Sequence, residues 1–107
     1  MTPEGKVKAK VDKLLKSYPE VWYYSPQAGP YGSAGIPDRV AIVDGRFIGI
    51  EVKSGPTKKP TRLQEKCMRD IEAAGGRCFV ICDETGLEEL RLYLEGMEII
   101  SVRLKER

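Results

Sequence analysis

Asp44-Gly45 sits between two apolar runs, residues 38–43 (DRVAIV) and 46–53 (RFIGIEVK), and this hairpin signal constrains the fold most tightly. An Asp-Gly pair suits a two-residue type I′ turn, which needs positive φ at both central positions. Such a turn fixes register as well as topology. Val43 faces Arg46, and opposed positions have numbers totalling 89. Asp38 and Glu51 obey that rule, so they should lie directly opposite each other, with Cβ atoms about 4.5–5.5 Å apart. Lys53, two residues beyond Glu51, projects from the same face. Both runs are apolar with few breaks, as expected of central strands covered by helices on both sides.

Two opposed carboxylates repel and destabilise a sheet unless a cation lies between them. Lys53 offers one such cation, in which case the cluster is a surface salt bridge. A hard divalent ion offers another, because Mg²⁺ takes oxygen ligands and is often held by one or two carboxylates with phosphate and water. The backbone carbonyl of Val52, between Glu51 and Lys53, can add a ligand.

The rest of the chain supplies an α/β frame. Thr2-Pro3-Glu4 reads as a helix start, with Thr at the N-cap, Pro at N1 and an acid in the first turn. Val7, Val11, Leu14, Leu15 and Tyr18 follow at helical spacing, Lys6, Lys10 and Lys13 form a separate stripe, and Pro19 ends the helix. Val21-Trp22-Tyr23-Tyr24 has strand composition, and ordinary strand packing is the favoured role of its aromatics. Residues 25–37, rich in Pro and Gly, form a long loop of the kind that often carries function. Thr61-x-x-Gln64 resembles a capping box. Leu63, Cys67, Ile71 and Ala74 form the apolar side of the helix that follows, and Gly75-Gly76 stops it. Residues 77–82 read as a buried strand and residues 85–96 as a helix with Leu87, Leu90 and Leu94 inward. Residues 98–104 form either a last strand or an irregular tail. The expected order is α-β-β-β-α-β-α-(β), a mixed β-sheet flanked by helices.

At 107 residues the chain has room for one domain, residues 1–107. Histidine is absent, which excludes Ser-His-Asp and Cys-His hydrolases, His-ligated zinc and a His general base. The three cysteines, Cys67, Cys78 and Cys82, form no CxxC pair; with no secretory signal and no apolar run long enough to span a membrane, the expected location is cytoplasmic. Gly29-Pro30-Tyr31-Gly32-Ser33 lacks the Gly-Lys-Ser/Thr ending of a nucleotide-phosphate loop. Charge is segregated: residues 53–69 carry six Lys and Arg against Glu65, and residues 83–98 carry six acids against Arg91. Clustered positive charge suits a phosphate-rich partner, and a solvated helix face is the plain alternative.

The order Gly35-Ile36-Pro37-Asp38, then Glu51-Val52-Lys53, then Gln64 on a helix, then Gly75-Gly76 before a strand, resembles the virus-type replication-repair nuclease family (VRR-NUC) of the PD-(D/E)XK superfamily. The resemblance covers about residues 4–83, and short stand-alone versions look like phage or bacterial members. It implies a restriction-endonuclease-like fold and a metal-dependent DNA endonuclease, structure-specific on branched DNA such as a Holliday junction or flap, working in replication, recombination or repair. It implies Asp38, Glu51, the Val52 carbonyl and Glu4 as ligands of Mg²⁺ or Mn²⁺, with Lys53 placing the attacking water and Gln64 supporting the site. Gln64 is also explained as half of the Thr61 capping box, and the two roles are expected to exclude each other. Lys58, Lys59, Arg62 and Lys66 are candidates for phosphate contact, Tyr31 and Tyr24 for stacking on unpaired bases, and Ser33 for a phosphate contact. A homodimer presenting two sites is the expected assembly. The alternative is a non-catalytic nucleic-acid binding module that keeps the basic patch.

Overall fold

The computed structural model describes residues 1–27 and 35–105, with residues 97–105 as backbone only. Helix α1 (Pro3–Lys16) starts as expected: Thr2 accepts from the Gly5 N–H at 3.0 Å, with Pro3 in the first turn. Strands β1 (Trp22–Tyr24), β2 (Arg39–Val43) and β3 (Arg46–Val52) follow, then helix α2 (Arg62–Ala73), strand β4 (Arg77–Ile81) and helix α3 (Glu84–Lys105).

The strands form one sheet in the order β1-β2-β3-β4, antiparallel for the first two pairings and parallel between β3 and β4. The parallel step needs a crossover, and α2 supplies it. Asp44 and Gly45 both have positive φ, 54° and 81°, as a type I′ turn requires. The register is the one the turn dictates, with Val43 opposite Arg46 and Arg39 opposite Ile50.

Alternation along the strands divides the sheet into two unlike faces. One carries Ala41, Val43, Ile48, Ile50, Val52, Phe79 and Ile81, and packs with Val11 and Leu15 of α1 and Leu87, Leu90 and Leu94 of α3 into the core. The other carries Trp22, Tyr24, Val40, Ile42, Phe47, Gly49, Glu51, Cys78 and Val80 by register. Here α2 reaches over Gly49, where an added Cβ would lie 3.4 Å from Ile71 Cδ1 and 3.0 Å from Pro37 Cγ. Trp22, Tyr24, Ile42 and Phe47 stay exposed. Coverage by helices on both sides therefore holds for β3 and fails towards β1.

Two further expectations change. Helix α2 buries no residue fully; Leu63 and Ala74 are exposed, and Cys67 and Ile71 are half-buried. Residues 98–104 are neither strand nor tail, because α3 runs on to Lys105. Ile99, Ile100 and Val102 favour a strand locally, but no Pro interrupts the segment and Gly96 costs a helix only about 1 kcal/mol. Propagation of an existing helix, one hydrogen bond per residue, prevails.

Candidate functional site

The candidate site forms where β2 separates from β3. Continuing the register would set Pro37 against Val52, and Pro37 has no N–H to exchange. The Asp38 side chain takes over, its Oδ2 accepting from the Val52 N–H at 2.8 Å. Within a strand the N–H and C=O of one residue leave the same edge, so the Val52 carbonyl also faces the Asp38 side. Gly35 makes this approach possible. Its φ is +96°, and a Cβ there would lie 2.6 Å from the Leu63 carbonyl oxygen at the start of α2. No other residue type fits, because a side chain would meet backbone as well as left-handed strain.

Glu51 lies beside Asp38 on the α2 face and is 2% exposed. Its Oε2 is buried without a hydrogen-bond partner. Burial first, and then the adjacent Asp38 carboxylate, push the Glu51 carboxyl up to about 8, against the opposing pull of Lys53. Burial also acts to raise Asp38, but hydrogen bonding from Glu51 and from the Val52 N–H, together with Lys8, outweighs it and holds Asp38 below the usual carboxylate range. Near neutral pH and without metal, the pair therefore keeps one proton, on Glu51.

Lys53 is half-buried and its Nζ donates to Gln64 Oε1 at 2.8 Å. The same oxygen accepts from the Thr61 N–H at 2.8 Å, while Thr61 Oγ1 accepts from the Gln64 N–H at 3.2 Å. The capping box and the lysine contact thus coexist, correcting the expectation that Gln64 could serve only one of them. A carbonyl oxygen has two lone pairs, and that is enough for both. Thr61→Ala should cost about 0.5–2 kcal/mol of stability through the lost cap. Gln64→Ala should cost a similar amount and also release Lys53. Thermal melts alongside cleavage rates will separate the effects, because only the Gln64 variant removes the lysine's acceptor.

Helix α1 contributes the stripe Glu4, Lys8 and Asp12. Lys8 Nζ lies 3.4 Å from Asp38 Oδ1 and 3.5 Å from Glu4 Oε2. Asp12 receives the Arg39 guanidinium at 2.7 and 3.0 Å, and Arg39 Nη1 also donates to the Asp38 carbonyl at 2.8 Å. Lys8 and Arg39 were missed in the sequence. Lys8 reads as an ordinary i,i+4 partner of Glu4, and its other partner is thirty residues away. Glu4 meets Lys8 and also lies near enough for its charge to help raise the Glu51 pKa.

Lys58, Lys59 and Arg62 are exposed around the β3–α2 connection. Lys66 is exposed but paired with Asp70 at 2.8 Å. Tyr31 and Ser33 lie outside the described residues. Trp22 and Tyr24 depart from ordinary strand packing: they are 59% and 50% exposed and stack on each other, with ring centroids 6.2 Å apart and planes 15° apart. A groove between α1 and α3, lined by Lys10, Lys13, Glu84, Glu88 and Arg91, belongs to the helices packed on the other face of the sheet and takes no part here.

Among the described residues no group of three or more His, Cys, Asp or Glu side chains is placed to hold a metal. Two carboxylates and a backbone carbonyl nevertheless suit Mg²⁺ or Mn²⁺, which complete their shells with water and phosphate. The unpartnered Glu51 Oε2 beside an ionised Asp38 fits such an ion, which would replace the proton the pair now keeps.

The frame is a mixed α/β fold with a carboxylate pair at the free end of its β3 strand. Its fold is that of the VRR_NUC domain. A solved structure described as a VRR_NUC domain matches with a TM-score of 0.73 and 22% sequence identity, over 84% of this chain and 95% of that one. No protein-family model and no curated protein matches the sequence.

Proposed function

We propose that this chain is a divalent-metal-dependent nuclease that hydrolyses phosphodiester bonds in DNA. The observation that carries the reading is the buried Glu51, with one unpartnered oxygen, next to the half-buried Asp38 and beside an ammonium group fixed by Gln64. A bound Mg²⁺ or Mn²⁺ supplies Lewis acidity and a nucleophilic water. Asp38, Glu51 and the Val52 carbonyl would hold it. The Val52 N–H fixes one oxygen of Asp38, and Lys8 balances the charge of the other. Lys53, held off the carboxylates by Gln64, sets a positive charge where negative charge develops on the phosphate. Lys58, Lys59 and Arg62 would steer the backbone in by charge, giving affinity that falls with salt and carries no sequence information. Glu4 adds negative charge beside the pair, felt by Glu51 and by Lys8.

Branched DNA is the proposed substrate and a homodimer the proposed assembly. The two go together, since a symmetric pair presents two sites to one junction. The test is cleavage of labelled junction, flap, linear duplex and single-stranded DNA in Mg²⁺, Mn²⁺ and EDTA. Cutting in either metal and none in EDTA is the expected result, with branched forms cut fastest. Binding to every substrate with cutting of none would favour the non-catalytic binding module instead. No helix among the described residues is long and apolar enough to cross a membrane.

A further inference from the structure

We infer that Trp22 and Tyr24 form a base-stacking platform for an unpaired nucleic-acid strand next to the carboxylate pair. The inference deepens the nuclease reading and rests on it for the placement of the scissile phosphate. Register carries it first. Trp22 opposes Ile42 and Ile42 opposes Phe47; Tyr24 opposes Val40 and Val40 opposes Gly49. The next position of β3 on this face is Glu51, with Asp38 beside it just before β2 begins. Rows on one face are two residues apart, about 7 Å. Tyr24 is therefore one row from the carboxylates and Trp22 two, on the face from which Glu51 and Lys53 project.

The surface has the chemistry of a stacking site. The two rings are nearly parallel, and about half of each side chain remains exposed. Aromatic side chains in this state accept any base, because every base offers a π-face. Charge points to the same ligand. Residues 21–37 contain no charged residue, and the only acid in the strand positions of this face is the buried Glu51. The cations that follow β3, Lys53, Lys58, Lys59 and Arg62, lie at the carboxylate end of the rows. A strand laid along β1 thus meets aromatic rings under its bases and positive charge ahead of its phosphates. A second copy of this chain is the competing occupant. It would cover the same apolar surface without needing the rings to be parallel or the approach to be free of acids.

The test uses the full chain in EDTA, so that binding is read without cleavage. Trp22 is the only tryptophan, and its fluorescence reports on the platform directly. A homothymidine oligonucleotide should quench it, whereas an abasic oligomer with the same number of phosphates should not. By anisotropy of a labelled oligonucleotide, Trp22→Ala and Tyr24→Ala should each weaken binding about tenfold. Trp22→Phe should recover most of the loss. Circular dichroism checks that each variant is folded, as expected for exposed positions on a short edge strand. Equal affinity for abasic and base-bearing oligomers would overturn the inference. So would a dimer seen by sedimentation that oligonucleotide leaves intact and Trp22→Ala disperses, since a second copy would then occupy the face. Base-dependent quenching by a protein that cuts no DNA in Mn²⁺ would remove the nuclease reading and leave the platform standing. Cutting without quenching would do the reverse.

Discussion

Replacing Lys53 by alanine is expected to slow DNA cleavage about 100- to 1,000-fold, the usual cost of losing one fixed charge or donor at a developing oxyanion. The side chain is half-buried and its described hydrogen bond is to Gln64, so the variant loses a single hydrogen bond and little packing. Its melting temperature should stay close to that of the parent. Single-turnover cleavage in Mn²⁺ gives the rate, and circular dichroism monitors the fold. The affinity for metal should be unchanged or slightly higher, since Lys53 is a competing cation rather than a ligand. Unchanged cleavage by the purified variant would remove Lys53 from the chemistry.

Glu51→Gln is expected to abolish metal-dependent stabilisation and to raise the melting temperature of the metal-free protein in alkaline buffer. A carboxyl whose pKa is higher folded than unfolded binds more protons in the folded state, so stability falls as pH rises between the two values. For Glu51 that window runs from its ordinary 4.5 to about 8. Asp38 acts in a separate window: its lowered pKa contributes stability that is lost only as pH falls below its ordinary 3.8. The parent protein in EDTA should therefore lose stability from about pH 5 to about pH 8, and the glutamine variant should not. Metal has to displace the Glu51 proton, so Mg²⁺ should stabilise the parent more at about pH 8.5 than at about pH 6. Thermal melts at those two pH values, with and without Mg²⁺, give all four comparisons. A parent protein whose metal-free stability is flat across the window would mean that Glu51 is ionised in the folded state.

The part of the site carried by the hairpin was legible in the sequence because turn chemistry sets a count. Asp44 and Gly45 accept positive φ, the loop is two residues long, and the observed pairing follows the count as far as Arg39 and Ile50, which leaves Asp38 and Glu51 side by side where the ladder ends. Gln64 was only half legible. Its spacing from Thr61 announces a cap, but its contact with Lys53 depends on where α2 lands relative to the end of β3. Lys8 was hidden for the same reason, since nothing local distinguishes it from the other lysines of α1. The face of β1 was misread because strand composition reports a pleated surface and not its cover. Trp22 and Tyr24 stand clear because α2 reaches only as far as β3 and β4. The end of α3 eluded the sequence through β-branched residues whose local preference a helix already under way can override.

The two-residue turn has a consequence for how such a chain can change over generations. One residue inserted between Val43 and Arg46, or one deleted, shifts β3 by a single place. Because side chains alternate, that shift rotates Glu51 towards α1 and α3 and brings an aliphatic neighbour up to Asp38. Substitution at Asp44 or Gly45 is limited by backbone strain, a graded cost that other favourable contacts can absorb. A change in length offers no such gradation. Drift in residue identity and drift in loop length, which go together on most surface loops, are therefore uncoupled at this turn.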